Sequence, residues 1–357
     1  MTNSKALIYN YQKKSSFINS DHTIIASKYN VYDFEFYSKI KVLYPLLFIW
    51  QFIFLISHWG KYHLIISQIS GYHTYIPSLL SYFGLKKHII ILHGTECNII
   101  PEINYGNLQR PILKWFTKKS ILNADLLIPV SNSLIHNDSN YYTERQINLG
   151  LNKNISGLKT PIKVVHNGID TSFFFINKKQ RDPYSFLTVA LGLKNEKNFK
   201  LKGIDLILNW AEKNPNYKVT IIGSKHIFNY NGNLKNVKVI GKVSQSELLK
   251  YYNDNKFYLQ LSISESFGLS LCESMLCGCI PIVSNTGMMP EIIGNKGYIL
   301  NKRDLTLLTK LIDSIITDKI EKDPYEIRKL IVNKYTINLR SEKLLAAIDH
   351  LSKVTSP

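Results

Sequence analysis

The stretch "KFYLQLSISESFGLSLCESMLCGCIPIVSNTG", Lys256 to Gly287, passes from an apolar run through a glycine-marked break and a helical pattern into a second apolar run. Lys256–Ser262 reads as a buried strand, the segment after Gly268 as a helix and Cys279–Asn285 as another strand, the βαβ unit of a parallel sheet. Apart from Lys256, its only charges are Glu265 and Glu273. Glu265 directly follows the first strand, at a carboxyl end, where open α/β sheets bind ligands. Gly268 lets the backbone approach a ligand, and the helix start behind it offers free N–H groups and a positive dipole end suited to phosphate. Glu273, in the second turn, lies on a different face from Leu269, Cys272, Met275 and Leu276, so the two carboxylates would flank an anion at the helix start. The purely structural alternative makes Glu265 a partner of the helix dipole and Glu273 a solvated position.

The same alternation extends outward. "ALIYNY", "NVYDFEF", "HLIISQI", "HIIILHG", "ADLLIPVS" and "IKVVHNG" read as strands in the first half, with "YIPSLLSYFG" a helix and "HTIIASKY" the end of a short one. A second series follows: "YSFLTVALGL", "KVTIIGS", "VKVIGKV" and "KFYLQLS" are strands. "GIDLILNWAEKN" is a helix ended by Asn214 and Pro215, and "SQSELLKYYND" is a helix with Ser244 or Ser246 as cap. The chain is therefore expected to be α/β, with two doubly wound domains joined near Asn167–Asp170 and a ligand cleft at the strands' carboxyl ends. The expected division is residues 1–168, residues 169–335, and a helix over 336–357 packing back toward the first domain.

At 357 residues the chain is long enough for two cores, and its 45% apolar content is that of a folded protein. Four cysteines, Cys97, Cys272, Cys277 and Cys279, sit in apolar sequence without disulfide or paired metal spacing, which points to a reducing compartment. The net charge of +18 suits polyanions, anionic lipids or phosphorylated small molecules. Its positive residues are mostly dispersed lysines, without the clustered basic and aromatic pattern of an RNA-binding sheet, so nucleic acid is disfavoured. No signal peptide opens "MTNSKALIYNYQKK". "VLYPLLFIWQFIFLI", Val42–Ile56, is interrupted only by Gln51 and is shorter than the ~18 residues of a spanning helix. It reads either as a buried helix or as a peripheral membrane contact, with basic and aromatic flanks.

With Glu265 and Glu273 in their setting, the chain resembles the retaining glycosyltransferases of family 4, whose fold is called GT-B. "HGTE", "ADLLIPVSNSL", "VVHNGIDTSFF", the Lys202–Gly203 pair and "VIGKVSQSELLKYY" join the opening stretch in carrying the likeness. The resemblance implies a nucleotide-sugar donor, with Glu265 facing the sugar hydroxyls and Glu273 accepting from the ribose. The amides of Phe267, Gly268 and Leu269 would hold the diphosphate, and Lys202 would pair with it. His93 would stand near the transferred sugar, and Ser131, Asn167 and Gly168 would line the cleft, Gly168 as a hinge. For Lys202, a cation placed just before a helix start is independently better explained by an anion lying between.

Two departures from the family pattern stand out. An arginine usual after the first strand of the second domain is replaced by "LGLKNEKNFKLKG", with Lys194 the candidate substitute, a point charge in place of a fork. The usual Gly-Gly loop is missing from "NYQKKSSFINSD", where Ser15–Phe17 would supply the helix start. The expected reaction is sugar transfer from a nucleoside diphosphate to a glycan or lipid-linked acceptor with retention, serving cell-surface polysaccharide or lipopolysaccharide synthesis at the cytoplasmic face of a membrane. No cofactor is expected, and no Asp-x-Asp pair suggests a metal-bridged diphosphate. A nucleotide-sugar epimerase of the same architecture and a non-catalytic anion- or membrane-binding protein are the competing readings.

Overall fold

The computed structural model describes residues 6–142, 147–178, 180–317 and 322–353. The chain divides into two compact units, one of Met1–His136, Asn148–Asn167 and Asn338–Pro357, the other of Asn137–Ile147 and Gly168–Ile337. The segment 137–147, which the sequence reading had not set apart, therefore groups with the second unit.

The first unit holds strands β1 (Ala6–Tyr11), β2 (Asn30–Glu35), β3 (Tyr62–Gln68), β4 (Lys87–Leu92) and β5 (Leu126–Pro129), all parallel, in the order β2-β1-β3-β4-β5. β1, β3 and β4 are buried almost throughout, which is why they read as unbroken apolar runs, whereas edge strand β2 is largely exposed. Helices Ser16–Ala26, Tyr44–Ser57, Tyr75–Tyr82 and Pro111–Asn123 connect them. "HTIIASKY" is thus the second half of a longer helix than expected. "IKVVHNG" makes one parallel bridge, Ile162 to Leu127, and no strand, in part because Pro129 on β5 has no N–H to continue the ladder.

The second unit holds β6 (Asp182–Val189), β7 (Lys218–Ile222), β8 (Val237–Ile240), β9 (Asn255–Gln260), β10 (Ile280–Ser284) and β11 (Tyr298–Leu300), in the order β11-β10-β9-β6-β7-β8, again parallel. Helices Ile204–Lys213, Gln245–Asp254, Leu269–Leu276, Leu305–Thr317 and Pro324–Lys334 cover it. Of the two candidate caps, Ser244 is the one used: its hydroxyl accepts from the Glu247 amide at 3.3 Å while Glu247 accepts from the Ser244 amide at 2.9 Å. The chain runs outward from β6 in one direction and from β9 in the other, so the order reverses between these neighbours. That switch point puts the loops after β6 and β9, which carry Lys194 and Glu265, side by side.

Candidate functional site

Glu265 is held by two partners at the end of β9. Its Oε2 accepts from Lys202 Nζ at 2.7 Å and from Gln260 Nε2 at 2.9 Å. Two glycines lie against the backbone of this loop. Gly203, at φ +69, brings the Lys202 corner so close that a Cβ there would stand 2.1 Å from the Leu261 carbonyl oxygen. Gly287, at φ +61, lies against Glu265 itself, where a Cβ would stand 1.8 Å from the carbonyl oxygen. The loop carrying Glu265 is thereby clamped from both sides by backbone that no larger residue could provide. The hydroxyl of Tyr141, from the segment 137–147, reaches the Leu261 carbonyl at 3.3 Å.

Gly268 caps the helix Leu269–Leu276 at φ +88, and a Cβ there would meet only ordinary contacts of 3.4 Å or more. Its requirement is conformational rather than spatial. Leu271, Cys272, Ser274, Met275 and Leu276 are buried, whereas Leu269, expected inward, is half-buried. Phe267 is buried edge-on against the Tyr335 ring, 5.4 Å between centroids. Lys194 is exposed in the loop after β6 and makes no hydrogen bond or ion pair among the described residues.

Glu273 corrects the structural alternative given for it, because it is not solvated. It is half-buried, and its Oε2 accepts from the Tyr252 hydroxyl at 2.9 Å. Burial pushes its carboxyl up to about 7, against the lowering effect of the Tyr252 bond.

In the first unit His93, just past β4, donates Nε2–H to Gln68 Oε1 at 2.7 Å, with the Phe17 ring 4.3 Å away. The tautomer follows from the partners behind it. Gln68 Nε2 donates to Asp21 Oδ2 at 2.8 Å and to the Tyr9 hydroxyl at 2.7 Å, and that hydroxyl donates to the Ile18 carbonyl. A carboxylate only accepts, so the Gln68 oxygen must face His93, which makes Nδ1 the unprotonated nitrogen of the neutral ring. Arg340, on the helix Ile337–Lys353, closes the chain with two bonds to Asp21 of 2.6 and 2.7 Å, and it also reaches the Val165 and His166 carbonyls. Burial lowers His93 to about 3 against the raising effect of the Asp21 charge, with a smaller lowering by Arg340, so its ring is neutral at neutral pH. The β-branched Ile69, next to Gln68, has φ +64, a conformation rare for its type at the end of β3.

Ser131, ahead of the short turn Asn132–Leu134, is buried, and its hydroxyl pairs with Ser133 at 2.8 Å without capping that turn. Asn167 and Gly168 stand on either side of the point where the chain passes from one unit to the other. All four cysteines are free and buried, as small apolar residues would be. The sequence reading missed Gln260, Tyr252, Gly287, Gln68, Asp21 and Arg340. A usable signal existed for the two glutamines, each a polar residue at the carboxyl end of a largely apolar strand.

Residues 172–330, nearly the whole of the second unit, match the family model described as glycosyl transferases group 1. The match covers a little under half of the chain. An uncharacterized glycosyltransferase of Methanocaldococcus jannaschii is 24% identical over 70% of this chain and 64% of its own length, so the match spans under two thirds of that relative. Among solved structures, a sucrose-phosphate synthase of Thermosynechococcus elongatus superposes with TM-score 0.74 at 14% identity, over 98% of this chain and 100% of that one. Anabaena HepE, solved in complex with UDP-glucose, gives 0.66 at 14% identity, over 97% of this chain and 99% of that one. These likenesses establish the GT-B fold for the chain.

Proposed function

We propose that the chain transfers a sugar from a nucleoside diphosphate donor to an acceptor hydroxyl with retention at the anomeric carbon. The observation that carries this reading is Glu265, held by Lys202 and Gln260 at the sheet's switch point, ahead of the Gly268 helix start. As the diphosphate departs, negative charge grows on it and positive charge grows on the sugar. The amides of Phe267, Gly268 and Leu269 would receive the first. Lys202 has three donors and commits one to Glu265, leaving two for the diphosphate. Lys194, exposed beside this loop, is the second cation. Glu265 stabilises the sugar electrostatically and positions its hydroxyls, and Glu273 serves the ribose in its carboxylate form. His93, in the first unit, offers a neutral ring of fixed tautomer as a hydrogen-bonding group.

The UDP-glucose complex of the Anabaena protein makes UDP-sugars the first donors to test. A glycan or lipid-linked acceptor, as in cell-surface polysaccharide or lipopolysaccharide assembly on the cytoplasmic side, fits the positive charge of +18. The deciding experiment incubates purified protein with a panel of nucleotide sugars, with and without extracted lipid acceptors, and measures nucleotide diphosphate release and glycosylated product. Release that depends on acceptor supports transfer. A donor sugar altered without any acceptor indicates epimerisation, and failure to bind any nucleotide sugar indicates a non-catalytic protein.

A further inference from the structure

The helix Tyr44–Ser57 is apolar on every side, and its single interior polar residue, Gln51, points inward. Gln51 Nε2 donates to the His73 carbonyl at 2.8 Å, while Leu55 and the partly buried Leu47, Phe48 and Phe54 pack on the core around Ile8, Phe36 and Ile65. The opposite face holds Leu46, Ile49, Trp50, Phe52, Ile53 and Ile56, exposed by 48% to 60%. A helix that is hydrophobic all round belongs against apolar matter on all sides, and this one is covered on one side only. No helix of the described residues is long and apolar enough to cross a membrane, so the open face calls for a surface contact.

The surrounding charge says what covers it. Between Glu35 and Glu96 the sequence contains no acidic residue, while Lys39 and Lys61 flank the helix and are exposed. The helix Pro111–Asn123, whose Phe116 ring stacks 5.4 Å from Phe48, is also free of acids, with Ile112, Lys114, Trp115 and Lys119 exposed. An apolar face with an exposed tryptophan, set among lysines and free of acids, is complementary to anionic lipid. We infer that this face docks the protein on an anionic membrane surface, its side chains entering the headgroup and acyl boundary by ~5–10 Å. This inference concerns where the protein sits and does not depend on the transfer reaction.

The test is flotation of the purified chain with vesicles of phosphatidylcholine alone or with 30 mol% phosphatidylglycerol (about that needed for a strong surface potential), alongside sedimentation without lipid. Wild type should float with the anionic vesicles, at least tenfold less with the neutral ones, and less at high salt. The double variant Ile49→Glu/Ile53→Glu should lose this binding by at least tenfold, with an unchanged melting temperature because both side chains are exposed. Wild type that stays in the aqueous phase, or a double variant that binds as well as wild type, overturns the inference. So does a wild-type dimer that the double variant converts to monomer, which assigns the face to a second copy of the chain. Nucleotide-sugar turnover is not read, so a failure here leaves the proposed reaction untouched.

Discussion

The ammonium of Lys202 and the carboxylate of Glu265 lie 2.7 Å apart although 63 residues separate them in the chain. The family resemblance implied a donor role for each separately, with Lys202 ahead of a helix and Glu265 after a strand. The structure adds that they are bonded to each other, with Gln260 as a third partner on the same carboxylate oxygen.

Their coupling makes the first prediction. Glu265→Gln and Lys202→Met should each lower kcat/KM for nucleotide-sugar turnover on the order of 100-fold, the scale of losing one preorganised electrostatic group. Because the two side chains touch, the double variant should lose less than the product of the single losses. Steady-state kinetics of the four proteins check this, and strictly multiplicative losses would refute it.

The glycines around Glu265 can be ranked. Gly287→Ala and Gly203→Ala drive a Cβ into carbonyl oxygens at 1.8 and 2.1 Å and should displace the Glu265 loop, lowering both melting temperature and turnover. Gly268→Ala meets no such contact and should cost only the conformational strain of its φ, about 1–2 kcal/mol. Thermal melts of the three variants should keep that order.

Glu273 predicts a pH dependence of stability. Its carboxyl is raised to about 7 in the fold from 4.5, so the folded chain holds a proton that the unfolded chain has released. Its contribution is complete below pH ~4.5 and is lost as pH rises through about 7. Glu273→Gln should flatten the fall in melting temperature over that window. Tyr252→Phe removes the bond that opposes the shift and should steepen the fall.

Arg340 and Asp21 are both buried, at 2% and 1% side-chain exposure. Arg340→Met strands a buried carboxylate and should destabilise the first unit by about 3–5 kcal/mol in urea unfolding. Adding Asp21→Asn should recover part of that loss, since the stranded charge is gone.

His93 gives the opposite sign to Glu273. With its pKa lowered from 6.5 to about 3, its contribution is present above pH ~6.5 and is lost as pH falls toward 3. His93→Gln should reduce that acid-side loss, read as a smaller change in melting temperature between pH 7 and pH 4.

The sequence by itself determined the α/β alternation and the motif that surrounds Glu265, because strand and helix periodicity and glycine-marked breaks are written in neighbouring residues. Tertiary structure decided what the inward polar groups meet. Gln51, Gln68 and Gln260 each interrupt an apolar run, and each proved buried, bonded respectively to the His73 carbonyl, to His93 and Asp21, and to Glu265. A hydrogen bond such as Arg340 to Asp21, spanning 319 residues, leaves no local pattern, and a glycine needed to clear a distant carbonyl looks like any other glycine. Which side of Tyr44–Ser57 faces out was likewise invisible, because a helix apolar all round has no periodicity to read. Only packing on Ile8, Phe36 and Ile65 chose its buried face.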